Sequence, residues 1–495
     1  MNNALARLAR PTAIAAAALG FAAVLAGCVS SAGIAPKTQP LDLQTLVPVA
    51  AHPVDVSDRW WQAYGDPALD ALVVRGLADN PDLAAVRARV ERAAAQVDAS
   101  DAQRKPRVDG GAEVTRERFT DHGLVPPPYA GTSRSDGDLA LTGSWEIDVF
   151  GRERALLDAA IGSQRAADAD LQAARVLLAS RIVREYVLLA QRVDRRAVLE
   201  RTLAQRQQIL DLVRERVAAG LDTTVELRQG EGAVPEIRVA LDEADEQIEI
   251  SRHALAALTS QGPDALHGLA PRLGQVEAVP LPDDIPADLL GRRADVVAAR
   301  WRVEAATHDL KAARAAFYPS VNLTAFAGFS AIGLSQLLEA GSRQIGIAPA
   351  VSLPIFDAGR LRAQYRGKAT DVDSAVDAYD TAVLEALRET ADALSTVRHV
   401  EVQRQQQAQA LDRAERAYDL AQQRYGAGLG TYLTVLSAET NVLAQRQNDN
   451  DLKAKALDAQ AQLARALGGG YVAPDARPPA VHVATRSPSN QELTP

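Results

Sequence analysis

Cysteine is almost absent from this chain: Cys28 stands alone, so no disulfide can form within it. Methionine occurs only as Met1, and the seven histidines (52, 122, 253, 267, 308, 399, 482) are scattered without paired ligand spacing. No Gly-rich phosphate loop, nucleophile elbow or metal-spaced His/Asp/Glu cluster appears, and each absence removes a class of enzyme or cofactor protein. Aromatic residues make up only 4% although hydrophobic residues reach 47%, because much of the apolar content is alanine. Alanine favours helix and lets helices approach closely, so long packed helices suit this composition better than an aromatic-filled globule. The net charge is −9 and no basic stripe is interleaved with aromatics, which excludes a nucleic-acid partner.

Hydrophobic runs are short as well. Arg7 and Arg10 precede an apolar stretch from Thr12 to Leu25, less than the roughly 20 residues a spanning helix needs. A cationic start, a short apolar run and small residues before Cys28 read as a signal peptide over 1–27. Leu25-Ala26-Gly27-Cys28 resembles the lipobox of bacterial lipoproteins. That resemblance implies cleavage before Cys28, a diacylglycerol on its thiol and an acyl chain on its new amine. Val29 follows where an aspartate would signal inner-membrane retention, so the outer membrane is the expected address. Several acyl chains together make a stable anchor, which a single chain does not.

What the sequence does contain is a long internal duplication. Ser144-Trp-Glu-Ile-Asp-Val-Phe-Gly151-Arg152 aligns with Ser352-Leu-Pro-Ile-Phe-Asp-Ala-Gly359-Arg360, and Arg216-Val-Ala-Ala-Gly220-Leu221 aligns with Arg424-Tyr-Gly-Ala-Gly428-Leu429. Both matches share one offset, 208 residues. Such a period is too long for a solenoid and describes two copies of one unit. The copies span 67–262 and 286–468, after a linker (28–66) and before a flexible tail (471–495). Each reads helix, strand, strand, long helix, helix.

The helical stretches 67–103 and 286–316 each run up to a proline, which disfavours helix in the residue before it. Strands are expected at about 106–118, 138–150, 319–331 and 344–356. Leu139, Leu141, Trp145, Ile147 and Val149 alternate with Thr142, Ser144, Glu146 and Asp148. Ile345, Ile347, Val351, Leu353 and Ile355 oppose Gln344, Gly346, Ala348 and Ser352. Period two marks strands with one apolar face. From Gly151 to Val217 and from Gly359 to Tyr425 no proline intervenes, so each long helix should reach about 100 Å. Second helices follow at 223–260 and 431–467; Thr223-x-x-Glu226 can open the first as a capping box, and Pro235 is expected to kink it.

Four amphipathic strands cannot close a barrel, and an open sheet edge is not tolerated in lipid. Two chains would supply eight strands and a barrel filled by side chains, whereas three supply twelve and leave a lumen. The expected architecture is therefore mainly α with a membrane β-barrel portion, closed by more than one copy of the chain and continued by a helical tube outside the membrane.

Trp60-Trp61-Gln-Ala-Tyr-Gly65-Asp66-Pro67-Ala-Leu69, Asn80-Pro81-Asp82-Leu83, Leu290-Gly-Arg292-Arg293-Ala-Asp295-Val296, Pro354-Ile355-Phe356-Asp357-Ala-Gly359-Arg360 and Gln423-Arg424-Tyr425-x-x-Gly428 carry a family likeness over nearly the whole mature chain. With the duplication they resemble the TolC/OprM-type outer-membrane efflux factors, in particular their NodT-like lipoprotein branch. The resemblance implies a homotrimer whose twelve-stranded barrel continues into a periplasmic helical barrel, and a passive, gated exit duct with no catalysis and no cofactor beyond the lipid on Cys28. Its partners would be outer-membrane lipid, a periplasmic adaptor and an inner-membrane transporter. Small organic compounds or drugs are the expected cargo. Metal-ion efflux and type I secretion are alternatives, the former weakened by the lack of thioether ligands for Cu(I) or Ag(I). A structural coiled-coil lipoprotein would explain the anchor and helices but not the strands.

By the same resemblance the gate lies at the turns 217–226 and 425–437. Tyr425 would reach Glu226 across the two hairpins, although Glu226 is equally placed to cap its helix. A second-latch arginine of the family falls at Gly430, and the carboxylates that ring the aperture fall at Thr434 and Ser437. Leu433 keeps an apolar constriction. Glu231 and Glu439 are near enough in sequence to restore charge there.

Overall fold

The computed structural model describes residues 30–41, 56–276 and 293–471. The signal peptide, Cys28, residues 277–292 and the tail beyond Tyr471 lie outside the described residues.

After a short 3-10 turn at Trp60–Tyr64 come α1 (Pro67–Asp79), α2 (Pro81–Gln103), β1 (Arg107–Arg118), β2 (Ser133–Ile147), α3 (Arg152–Ala218) and α4 (Thr224–Leu258). The second half supplies α5 (Ala294–Ala315), β3 (Ser320–Ile332), β4 (Arg343–Ser352), α6 (Arg360–Gly426) and α7 (Tyr432–Ala466). The two long helices have 67 residues each and their successors 35 each, so the duplicated sequence yields duplicated lengths.

The stretch expected as one helix over 67–103 is two. Asn80 ends α1 and caps α2, its side chain accepting from Asp82 N and Leu83 N. Pro81 supplies no N–H to continue α1 and takes the first position of α2. Helix α4 runs on through Pro235. The expected linker is not free over its last residues. Trp60, Trp61 and Tyr64 are buried against α1, α3 and α7. Trp61 Nε1 donates to Asp70 (2.8 Å), Tyr64 Oη donates to the Leu457 carbonyl (3.0 Å), and Tyr186 Oη donates to Asp66. Residues 30–41 lie along α6, where Asp373 accepts from Lys37 N (2.7 Å) and Thr38 N (2.9 Å) and Asp380 accepts from Leu41 N (3.0 Å).

The four strands form one antiparallel sheet in the order β1-β2-β3-β4. β2 begins at Ser133, before the apolar alternation sets in, and β2 and β4 end ahead of Val149 and Leu353. Residues opposite one another in an antiparallel pair share a face, so the register fixes the composition of each face. One carries Val108 and Val114; Leu139, Leu141, Trp145 and Ile147; Leu323, Ala325, Ala327 and Phe329; and Ile345, Ile347 and Val351. The other carries Asp109, Glu113, Asp138, Thr142, Glu146, Asn322, Thr324 and Gln344. Ile345 and Ile347 are 86% and 74% exposed in the single chain, which water alone would not favour. At Gly328 the strands close so far that a Cβ would stand 2.1 Å from the Leu139 carbonyl oxygen. β1 and β4 each keep one edge unpaired within the chain. Among the described residues no helix is long and apolar enough to cross a membrane.

Candidate gate at the helix tips

Far from the sheet, α3–α4 and α6–α7 turn back on themselves through matching caps. Leu221 N donates to the Arg216 carbonyl (2.9 Å) and Gly220 N to that of Val217 (3.0 Å); Leu429 N donates to Arg424 (2.8 Å) and Gly428 N to Tyr425 (3.0 Å). These are paired Schellman motifs, and both need the left-handed conformation that Gly220 (φ 72°) and Gly428 (φ 74°) adopt. The duplicated Arg-x-x-x-Gly-Leu is the sequence of this cap.

Between the turns the two hairpins are tied together. Tyr425, fully buried, donates its hydroxyl to Asp222 Oδ2 in a short hydrogen bond. Arg216 Nε also bonds Asp222 Oδ2 (2.9 Å) and Arg216 Nη2 bonds Oδ1 (3.2 Å). Its guanidinium lies 4.6 Å from the Tyr425 ring centroid, and its Nη1 donates to the Tyr425 carbonyl (3.2 Å). One arginine therefore grips the carboxylate of its own hairpin together with the ring and backbone of Tyr425 in the opposing one. Arg216, and secondarily Tyr425, hold the Asp222 carboxyl below its ordinary range. Burial, then the neighbouring Asp222, pushes the Tyr425 hydroxyl up. Ionised aspartate and protonated tyrosine are the states in which this hydrogen bond is charge-assisted.

The expected Tyr425–Glu226 pairing is corrected by these contacts. Glu226 accepts from Thr223 N (2.9 Å) and from the Thr223 hydroxyl, and the Thr223 hydroxyl accepts from Val225 N (3.2 Å). That capping box occupies the carboxylate, and it holds the Glu226 carboxyl below its usual range through the Thr223 hydroxyl first. Asp222, four residues earlier and outside the helix, is free to reach Tyr425. Asp222 and Arg216 were not singled out from sequence. The signal was the repeat itself, since Asp222 stands at the position equivalent to Gly430, where the family arginine is missing. The arginine–carboxylate pair is present in the opposite hairpin.

Glu439 does not restore charge at the mouth. It is buried and ion-paired to Arg206 Nε (3.0 Å), whose Nη1 also donates to the Ala233 carbonyl (2.6 Å). Burial, against the pull of Arg206, raises its carboxyl above the usual range. Glu231 pairs with its own neighbour Arg228 (2.7 Å). Thr434 belongs to the α7 cap, its N–H and hydroxyl both meeting the Thr431 hydroxyl (3.3 and 2.9 Å). Leu433 is 65% exposed, and Ser437, one turn on, is exposed on the same side. The opposite side of α7 packs Tyr432, Val435 and Val442 with Tyr425, Tyr418 and Val213.

A family profile described as "Outer membrane efflux protein" matches residues 72–261 and 285–469, the two halves of the duplication. The chain is 32% identical over 460 residues to the putative multidrug resistance outer membrane protein MdtQ of Escherichia coli K12, covering 90% of this chain and 96% of that protein. It is 34% identical over 363 residues to the fusaric acid resistance protein FusA of Burkholderia cepacia, covering 71% of this chain and 68% of FusA. The crystal structure of the outer membrane protein VceC of Vibrio cholerae superposes with a TM-score of 0.79 at 31% identity, over 83% of this chain and 99% of VceC.

Proposed function

This chain belongs to the outer membrane efflux protein family, and from that premise we propose how it performs the work of an outer-membrane channel in a tripartite pump. It is the transport component at the outer membrane, and it works there as a trimer. Each chain contributes four strands: one face, apolar between Arg116, Arg118 and Arg343 at one end and Val108, Ile147 and Val351 at the other, meets lipid, and the polar face lines the lumen. The unpaired edges of β1 and β4 are completed by neighbouring copies, since lipid offers no hydrogen bonds to an open edge. Helices α3 and α6, about 100 Å long, carry the duct away from the membrane to tips that close it.

The closure rests on Arg216, Asp222 and Tyr425, which join the two hairpins of each chain. Leu433 narrows the aperture and Thr434 and Ser437 border it without charge. Glu226 serves the α4 cap. An adaptor and an inner-membrane transporter supply the force that breaks the latch, and no chemical step occurs on this chain. Cargo consists of small organic compounds; the names of MdtQ and FusA support that class. Cys28 carries the lipid anchor. The bond from Arg362, near the sheet end of α6, to the carbonyl of Ser30, two residues beyond Cys28, supports an anchor close to the barrel.

The observation that carries this reading is the sheet with one apolar face and two open edges, joined to latched helical hairpins. Its test is the conductance of the purified protein in a planar bilayer. Small or absent currents for the wild type, with larger ones for Tyr425→Phe, are expected. No current from either protein would sink the channel reading.

A further inference from the structure

At the end of the sheet that meets the helices, the apolar face continues outward. Val149, Leu353, Ile355 and Phe356 are 60%, 48%, 50% and 84% exposed, and Trp145 Nε1 is satisfied by the Arg104 carbonyl (2.9 Å). Directly beyond this rim stand arginines without acidic partners. Among the described residues no carboxylate pairs with Arg154, Arg362 or Arg366, and all three are exposed. Their direction follows from helix geometry. Arg362, Arg366, Asp373 and Asp380 are spaced by four, seven and seven residues, so they share one face of α6. That face carries the segment 30–41, which accepts from Arg362 at the Ser30 and Ala32 carbonyls. The opposite side of α6, with Arg360, Gln364 and Lys368, borders a groove lined from the sheet end by Glu146, Ser320 and Ser352 of the polar face and by Ile147 and Val149 of the other. Arg154 lies about 200° around α3 from Arg152, which lines that groove. The three arginines therefore face away from that groove, and Arg362 and Arg366 share the face of α6 that carries segment 30–41.

We infer that Arg154, Arg362 and Arg366 form a basic collar that binds the phosphate of anionic glycerophospholipids in the membrane leaflet nearest the helices. This rests on the barrel reading, and it names the lipid chemistry that reading leaves open. The collar is continuous with the lipid-facing apolar surface, at the depth where cationic and aromatic side chains meet headgroups. Guanidinium presents paired N–H donors that match a phosphate. The start of segment 30–41 is pinned at the same level by Arg362, so the acyl chains proposed for Cys28 would enter the leaflet among the lipids the collar holds.

The test uses the full lipidated protein in mild detergent, with phosphatidylglycerol or phosphatidylcholine added. Retained lipid is counted by native mass spectrometry and the thermal midpoint is followed in parallel. Each arginine near an anionic surface is worth about a fivefold change in affinity. Phosphatidylglycerol should be retained and stabilising where phosphatidylcholine is not, and high salt should weaken the preference. Arg154→Gln/Arg366→Gln leaves the Arg362 contact intact and should lose about 25-fold of that preference, about fivefold for each arginine. Adding Arg362→Gln should abolish it, while Arg388→Gln/Arg413→Gln, far along α6, should not. Equal retention of both lipids by the wild type, or an unchanged preference in the double and triple variants, overturns the collar. The Tyr425→Phe protein is recorded in bilayers alongside: conductance from it with no lipid preference in the wild type removes the collar alone, whereas no current from it removes the channel reading.

Discussion

Tyr425→Phe is the substitution that isolates the latch. It keeps the ring that packs beside Tyr432 (centroids 6.2 Å apart) and lies under Arg216, and it removes only the hydroxyl donated to Asp222. A hydrogen bond to an ionised group contributes about 1.5–3 kcal/mol. The lower end applies here, because Asp222 keeps both of its bonds from Arg216. About 1.4 kcal/mol is a factor of ten in an equilibrium. One latch that limits opening would thus yield about a tenfold rise in open probability, and three that must release together about a thousandfold. Single-channel recording measures this directly, and sensitivity of cells to a large antibiotic such as vancomycin reports it in vivo. Asp222→Asn should raise open probability as well, because the charge gripped by Arg216 is lost. The double variant should fall short of the sum, as expected for contacting residues. Glu226→Gln should leave conductance unchanged, because that carboxylate is committed to the α4 cap. A Tyr425→Phe channel that conducts like the wild type, while Glu226→Gln or Leu433→Ala opens the pore, would refute the latch.

Several further outcomes are expected. The Asp222 carboxyl sits below its ordinary value and the Tyr425 hydroxyl above its own. The aspartate's contribution to closure is therefore present above the usual carboxylate pKa of about 3.9 and lost only as pH falls through the lower, closed-state value. The tyrosine proton is retained beyond the usual pKa of about 10, so open probability should stay flat across the whole neutral range; a step near pH 6 would contradict the pairing. Leu141→Arg and Ile347→Arg should cost about 2–4 kcal/mol of assembly near the bilayer midplane, and Thr142→Arg and Ala348→Arg far less, as read by trimer yield on semi-native gels; the reverse order would mean that the faces are inverted. Gly328→Val should block barrel formation outright, because even a Cβ would overlap the Leu139 carbonyl; normal trimer yield would disprove that close approach. Cys28→Ser should abolish incorporation of labelled palmitate, and persistent label would assign the lipid elsewhere.

Much of this architecture is legible in the sequence because it repeats. Period-two alternation at Leu139–Ile147 and Ile345–Val351 exposes which strand faces meet lipid, since a two-sided environment imposes a two-sided pattern. The start of β2 is less visible. Ser133 to Asp138 carries no large apolar residue, and only pairing with Arg118 to Glu113 reveals those residues as strand. The break at Asn80 was written in the sequence as an asparagine cap followed by proline, yet it sits inside a continuous helical pattern. The latch was half legible. Tyr425 and the turn are local features, but its partner is chosen by competition between two nearby carboxylates. Thr223-x-x-Glu226 is a strong local cap, and once Glu226 is bound there only Asp222 remains. Arg216 gave no separate signal, because the same residue type at Arg424 turns outward, its nearest bond a 3.5 Å contact to the Leu429 carbonyl.

The central claim is that three copies of this chain close one barrel, since four strands with two open edges cannot. Native mass spectrometry of the detergent-solubilised species, taken from the same fraction that conducts in a bilayer, tests it most directly. Three chains per conducting particle is the expected result; a conducting particle of one or two chains would contradict it.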